Sequence, residues 1–466
     1  MFVDRDRELN LLNQCYLSEK AELFVLYGRR RVGKTELLRA FCQGKRHIFY
    51  VADLGTEAAS LAEFTRQISR FSFGNQDSLS PFATWDAAFE FLADQSAAER
   101  LAVVIDEFTY LIDANNAIPS VIQRLWDTRL QHTRIMLVLC GSYVGMMEQH
   151  VLAYRAPLYG RRTAQWKLQA LVFRDAQLLL PGFSTDDMVR AYAVLGGIPA
   201  YLRQFDDRRP LLTNIVENVL AQGRFLHDEP RFLMLQELRD PSRYFSVLRA
   251  IAGGRTRMNE IAQQAGIAAS SVSFYLNTLQ EMGLVERVVP ATENPSHKSK
   301  RGIYRLLDHY FRFWFRFVFP NRSLLECGEI EQVRTQIEAE LDQYVGPIFE
   351  SICREHVWQL HKDGTLRFTP QSVGSWWGSN DEIDVVAIGE DAALLGECKW
   401  TTKPVGENLL DDLMRKAQPL IRQHKWRTVN YALFSRSGFT PALAARAEAE
   451  SVLLITPQML LGHAQS

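Results

Sequence analysis

The chain has 466 residues, 47% of them hydrophobic and 23% charged, with 9 Trp and 27 Phe. That is a globular composition, long enough for about three domains. The net charge of −1 leaves nucleic acid open as a partner, because a neutral total can hide a basic face. The six cysteines are scattered singly, with no CxxC and no Cys/His cluster. That speaks against a structural zinc site and a disulfide framework and for reduced cytosolic thiols. Met1-Phe2-Val3-Asp4-Arg5-Asp6 lacks the layout of a signal peptide. No apolar run reaches the roughly 18 residues of a membrane helix. The expectation is a soluble, cytoplasmic protein with no membrane partner.

Strands are expected over residues 23–27, 47–51, 102–105 and 135–140, each short, apolar and bounded by polar or turn residues. Alternation with helices makes this a parallel α/β sheet covered on both faces. After the first strand comes Gly28-Arg29-Arg30-Arg31-Val32-Gly33-Lys34-Thr35, followed by a helix over 36–41 that Glu36 opens. This is the GxxxxGK[ST] phosphate loop in the strand–helix context that the motif requires. Its backbone N–H groups and the helix N-terminus cradle phosphates, Lys34 reaches the terminal phosphates, and the Thr35 hydroxyl sits on Mg²⁺. ATP and Mg²⁺ are therefore the expected cofactors.

Leu101-Ala102-Val103-Val104-Ile105-Asp106-Glu107 supplies the acids. Asp106 is expected to hold the Mg²⁺ shell and Glu107 to polarise the attacking water. The third strand ends in Gly141-Ser142, where Ser142 either meets the γ-phosphate or the water, or caps a helix. Pro157-Leu158-Tyr159-Gly160-Arg161-Arg162 places two arginines after a turn. Arg161 is the candidate arginine finger, acting in cis or toward a neighbouring copy in a homo-oligomer.

These features, with Phe2-Val3-Asp4-Arg5-Asp6-Arg7-Glu8-Leu9 and Gly196-Gly197-Ile198-Pro199, resemble archaeal-type ATPases of the AAA+/STAND group. The resemblance implies that Arg5 and Glu8 pack near the adenine and that Pro199 belongs to a lid element approaching the nucleotide. It covers the chain to about residue 239. One departure is the lack of a clear lid arginine, which favours a switch over a processive motor.

Residues 171–240 read as a helical lid, with amphipathic spacing over 173–180, 185–195 and 211–223. Residues 241–308 read as a winged helix-turn-helix. A helix over 257–265 turns at Gly266 into a second helix carrying Ser270, Ser271, Ser273 and Asn277, donors suited to phosphates and base edges. The wing over 292–301 carries His297, Lys298, Lys300 and Arg301. DNA is the expected partner, although the same module serves as a protein-contact element in ATPases of this group.

Residues 309–345 form an aromatic and helical connector, and 346–466 a second α/β domain. There, Glu382-Ile383-Asp384-Val385-Val386-Ala387-Ile388 precedes a turn and then Ala393-Leu394-Leu395-Gly396-Glu397-Cys398-Lys399. Alternation puts Glu397 and Lys399 on one face, and antiparallel pairing brings Asp384 alongside. This is the arrangement of PD-(D/E)xK nucleases: Asp384 and Glu397 binding Mg²⁺, Lys399 orienting water, Glu350 completing the set and Lys416 touching the phosphate backbone. The segment resembles the restriction-endonuclease-like domain fused to archaeal-type ATPases. Two functions follow: an ATPase switch controlling a DNA-directed nuclease, or a non-cleaving ATP-gated regulator with a vestigial site.

Overall fold

The computed structural model describes residues 3–74, 79–238, 240–294, 299–378 and 380–462. Phe2 of the N-terminal box and His297 and Lys298 of the wing lie outside the described residues. The chain divides into two compact units, Met1–Ala170 and Leu171–Ser466. The lid, winged-helix, connector and C-terminal segments thus fall together in the second unit.

In the first unit, helix α1 (Asp6–Leu17) leads to β1 (Glu22–Tyr27), the phosphate loop and α2 (Lys34–Cys42). Strands β2 (His47–Val51), β3 (Leu101–Asp106), β4 (Ile135–Gly141) and β5 (Ala164–Lys167) complete a parallel sheet of order β2-β3-β4-β1-β5. Every residue of β3 and β4 is buried. Helices covering both faces require such unbroken apolar runs. Because β4 lies between β1 and β3, the phosphate loop, Ser142 and the Asp106-Glu107 pair sit on neighbouring C-terminal strand ends. That is where parallel α/β sheets gather their ligands. Strand β5 was not expected from the sequence. Its alternating half-exposed residues mark an edge strand without an apolar run.

In α2 the sequence placed the helix start at 36, whereas Lys34 and Thr35 already form its first turn. Gly33, at φ 98°, makes the left-handed entrance that permits this.

The second unit begins with short helices. The expected helix over 173–180 is a single turn, Phe173–Ala176, tightening into a 3₁₀ turn over Gln177–Leu179. Helix α3 (Thr185–Leu195) is capped by Ser184, whose Oγ accepts from the Asp187 N–H at 3.1 Å. The expected helix over 211–223 ends early in a π turn, Val216–Leu220. A helix the sequence did not suggest, Phe225–Glu237, carries a buried Pro230 inside.

The winged-helix segment comprises α4 (Ser242–Ala252), α5 (Met258–Ala265) and α6 (Ala269–Glu281), then antiparallel β6 (Val285–Val288) and β7 (Ile303–Leu306). Gly266 ends α5 at φ 65°, giving the tight turn. The aromatic run follows as helix His309–Phe313 and a π turn over Trp314–Val318. Asp308 caps it through the Phe311 N–H at 2.6 Å.

The boundary expected at 345/346 does not exist as a break. One helix, α7 (Ile330–Lys362), runs 33 residues through it. Gly346-Pro347 reads as a helix breaker. However, Val345, Ile348, Phe349 and Ile352 are buried along α7, and their packing holds the helix across the missing N–H.

A mixed sheet follows, of order β12-β11-β10-β9-β8. Its strands are β8 (Ser372–Trp377), β9 (Glu382–Ile388), β10 (Ala392–Lys399), β11 (Thr428–Ser435) and β12 (Leu453–Ile455). The first three pair antiparallel, and β10, β11 and β12 pair parallel. Helix α8 (Glu407–His424) makes the crossover that a parallel β10–β11 pair needs. Its Leu410, Leu413, Ala417 and Leu420 enter the core with Ile383, Val386 and Leu395. No helix among the described residues is long and apolar enough to cross a membrane.

Asp342 of α7 ties the lid helix to this sheet. It accepts from Arg190 of α3 at 3.0 Å, from the Trp400 indole at 3.1 Å and from Arg436 at 2.7 Å. Burial pushes its carboxyl up, but these donors outweigh it and hold it down at about 2. A lowered carboxylate contributes stability that is present above the unfolded value near about 4 and is lost as pH falls through the folded value. We therefore expect Asp342→Asn to lower the unfolding midpoint at neutral pH. The gap to wild type should close as pH drops from about 4 to about 2 in thermal melts.

Candidate functional site

The phosphate loop is shaped by its backbone. Gly28 stands at φ 153°, and a Cβ there would lie 2.4 Å from the Leu168 carbonyl oxygen. Leu168 N–H in turn donates to Tyr27 O at 2.7 Å, extending the β1–β5 edge into the loop. Arg31 takes the left-handed region at φ 69°. Lys34 is 4% exposed, and its Nζ donates to Gly28 O at 2.8 Å and Arg29 O at 2.9 Å. Burial pushes the Lys34 ammonium down from its usual value, and Cys140, Glu107 and Asp106 pull it back up.

A hydrogen-bonded chain crosses three strand ends. Thr35 Oγ1 donates to Asp106 Oδ2 at 2.6 Å, and Glu107 N–H donates to Asp106 Oδ1 at 3.0 Å. Ser142 Oγ then donates to Glu107 Oε1 at 2.6 Å. Glu107 holds φ 52° without being a glycine, a strained position that aims its side chain at Ser142. Its Oε2 is buried with no hydrogen-bond partner among the described residues. Of the two readings of Ser142, the helix cap does not occur: the helix Val144–Met147 has no side-chain cap.

This donor set fits a magnesium–nucleoside triphosphate. Magnesium keeps most of its waters and needs one or two protein oxygens plus phosphate, and Thr35 beside Asp106 offers that pair. Lys34 places a buried cation within the loop, and Glu107 keeps one buried oxygen without a partner among the described residues.

Two expected residues, Arg5 and Arg161, are engaged with protein groups. Arg5 is buried and spends its guanidinium on protein: Nη2 donates to Val32 O at 3.1 Å and Gln169 O at 2.9 Å, and Nη1 pairs with Glu8 at 3.3 Å. It braces the phosphate loop through the Val32 carbonyl. Arg161 is bound through two nitrogens to Asp127 at 3.1 and 2.9 Å, so action in cis requires breaking that fork. Its neighbour Arg162 lies over the Tyr159 ring at 5.1 Å. Glu36 is exposed on the first turn of α2. Arg30 donates to the Tyr110 hydroxyl at 3.2 Å. Pro199 opens the short helix Pro199–Leu202 of the second unit.

In the C-terminal sheet, Gly396 pairs with Val385, so the next register position sets Glu397 opposite Asp384 on one face. Asp384 Oδ2 accepts from Cys398 N–H at 2.9 Å. Burial, then Glu350 and Glu397, push the Asp384 carboxyl up. Glu397 is 2% exposed and neutralised by lysines: Lys416 at 2.8 Å and Lys399 at 3.4 Å. Arg354, which the sequence did not single out, donates to Asp384 O at 2.8 Å and pairs with Glu350 at 3.6 Å. Among the described residues no group of three or more His, Cys, Asp or Glu side chains is arranged to hold a metal ion. Asp384 and Glu397 were expected as magnesium ligands. Here Glu397 is paired with Lys416 and Lys399.

On α6, Ser270, Ser271 and Asn277 are exposed and Ser273 is half-buried. Phe274 stands 63% exposed beside them, an aromatic side chain that serine and asparagine counting overlooked. In the wing Lys300 is exposed and Arg301 pairs with Glu293 at 3.1 Å.

Comparison with known proteins places these features in a family. An uncharacterized protein of Methanocaldococcus jannaschii is 35% identical over 408 residues, spanning 86% of this chain and 88% of that one. The chain belongs to the same family as this archaeal protein. Residues 2–205 match an ATPase domain predominantly from Archaea, 241–288 an IclR helix-turn-helix domain, and 314–411 archaeal and bacterial proteins of unknown function. An uncharacterized ATP-binding protein of the same organism is 50% identical over 46 residues, 10% of this chain and 78% of that one. The Walker-type ATPase of Pyrococcus abyssi superposes with a TM-score of 0.53 at 23% identity, over 68% of this chain and 96% of that one, a likeness of fold. The family member in hand is thus a multidomain α/β protein with a parallel-sheet P-loop ATPase core, a helix-turn-helix and a C-terminal mixed sheet.

The close approach at Gly28 gives a direct test. Gly28→Ala pushes a Cβ against the Leu168 carbonyl and should cost about 2 kcal/mol or more in denaturant unfolding. An unchanged denaturation midpoint would contradict the packing described for the loop.

Proposed function

We propose that the protein is an ATP-hydrolysing switch. The observation that carries this reading is the chain Thr35–Asp106–Glu107–Ser142 beside the buried Lys34. Gly28 to Thr35 bind the triphosphate, with Arg29, Arg30, Arg31, Val32 and Gly33 as the loop backbone. Thr35 and Asp106 hold the magnesium, which offsets phosphate charge when bound. Glu107, oriented by Ser142, accepts a proton from the attacking water through its unpaired oxygen. The same Ser142–Glu107 bond ties the acid to the end of β4 and so links the nucleotide site to that strand, which suits a switch. Arg161 acts only where a neighbouring copy or a rearrangement releases it from Asp127. Pro199 and its lid role rest on resemblance.

Lys34→Ala should abolish nucleotide binding in equilibrium dialysis, whereas Glu107→Gln should retain binding and lose about 10²-fold or more of turnover. Turnover that survives both changes would sink the ATPase reading.

The winged helix is read as the DNA contact, through Ser270, Ser271, Asn277 and Phe274 on α6 and Lys300 in the wing. For the C-terminal sheet, the nuclease reading rests on Asp384 and Glu397 sharing a face with Lys399, with Glu350 nearby. The other reading is a non-cleaving regulator with a vestigial site, and the pairing of Glu397 with Lys416 and Lys399 is compatible with both. The two part in one assay: purified protein with DNA, divalent metal and ATP. The regulator reading expects ATP-dependent DNA binding and no cleavage. Cleavage lost in both Asp384→Ala and Lys399→Ala overturns it.

A further inference from the structure

A cavity of about 260 Å³ opens between the winged-helix segment and α7. Arg305 of β7, Arg312 of the helix His309–Phe313 and Arg354 of α7 line it, with Glu286 of β6 as the carboxylate in its wall. Three guanidiniums against Glu286 in the wall and Glu350 beside it leave an excess of positive charge. Arg305 Nε pairs with Glu286 at 2.9 Å, Arg312 lies over the Tyr344 ring at 5.3 Å, and Arg354 is shared with Glu350 and the Asp384 carbonyl. Only one of the three has a carboxylate inside the cavity. The Thr256 and Ser351 residues add hydroxyl groups, and Leu306 and Ile348 add apolar wall.

The geometry points to a binding site for a phosphate ester on a nucleoside, either a free nucleotide or the phosphorylated end of a nucleic-acid strand. A planar guanidinium matches phosphate oxygens through paired N–H bonds, and several converging on one cavity make an anion site. The volume lies just under the roughly 300 Å³ at which small-ligand pockets begin, which suits one nucleotide unit and exceeds what bare phosphate fills. Apolar wall beside the arginines gives the remainder of the ligand a place. The charge state agrees. Burial pushes Arg305 down from its usual value and the like charge of Arg354 adds to it, while Glu286 and Glu350 pull it back up, as a bound dianion would.

The site differs from the phosphate loop and from the carboxylates, but it touches the latter through one residue. A phosphate in the cavity competes with Glu350 for Arg354, whose Nη1 also holds the Asp384 carbonyl. Occupancy of the winged-helix side is thereby read at the C-terminal sheet. The proposal stands whether or not that sheet cuts DNA.

The test uses the full chain carrying Lys34→Ala, so that the phosphate loop does not contribute. Titration calorimetry is run with inorganic phosphate, adenosine monophosphate, and a short DNA strand with and without a 5′-phosphate. Adenosine monophosphate or the phosphorylated strand should bind, and the pair Arg305→Gln and Arg312→Gln should weaken it by about tenfold or more. Arg249→Gln, an exposed arginine outside the cavity, should change nothing. Ser351→Trp fills the cavity without removing charge and should also abolish binding, which keeps the test valid if the arginine pair fails to fold. Preference for the phosphorylated strand over its unphosphorylated twin assigns the ligand to a strand end; binding of the mononucleotide assigns it to a free nucleotide. Absence of binding by every phosphate probe, or binding untouched by Ser351→Trp, overturns the proposal.

Discussion

The hydrogen bond from Thr35 to Asp106 depends on the order of strands in the first unit, and much of the site depends on that bond. Asp106 belongs to β3 and Thr35 to the helix after β1, yet β4 separates these strands in the sheet. The carboxylate therefore reaches across the end of β4, and Ser142 at that end completes the link through Glu107. A sheet with β1 and β3 as direct neighbours would leave no residue in Ser142's position. Inserting one strand extends a two-residue contact into a network over three strand ends, with Ser142 on the middle one.

The second unit is organised by a different constraint, the continuity of α7. Its N-terminal half carries Asp342, which gathers charged and aromatic groups from the lid helix and the far sheet. Its C-terminal half carries Glu350 and Arg354, which face the carboxylates and the arginine-lined cavity. Elements that the sequence divides into lid, reader and sheet are thus attached to a single rigid rod.

Much of this was legible because burial leaves a plain mark. β3 and β4 are covered on both faces, so their sequences are unbroken apolar runs, and the phosphate loop between β1 and α2 carries its chemistry in fixed spacing. β5 was not legible, since an edge strand of Ala164-Gln165-Trp166-Lys167 needs no apolar run. Pro347 misled because the rule against helical proline is local, while the packing of Val345, Ile348 and Phe349 that overrules it comes from distant segments. The partners of Arg5 and Arg161 were not legible, because a guanidinium has several nearby acceptors. Only coordinates reveal that one takes the Val32 carbonyl and the other Asp127. Glu397 taught the same lesson: Lys416, nineteen positions along the chain, is brought to it by a crossover helix.

The unbroken α7 has a practical corollary for anyone dissecting the molecule. A fragment beginning at Gly346 would start in mid-helix and would discard Asp342, leaving Trp400 and Arg436 without the carboxylate that they share. Its loss of activity or solubility would report a severed helix, and would say nothing about whether the sheet works alone. The shortest piece that keeps the sheet's own anchors begins before Ile330, where the chain first turns into the helix.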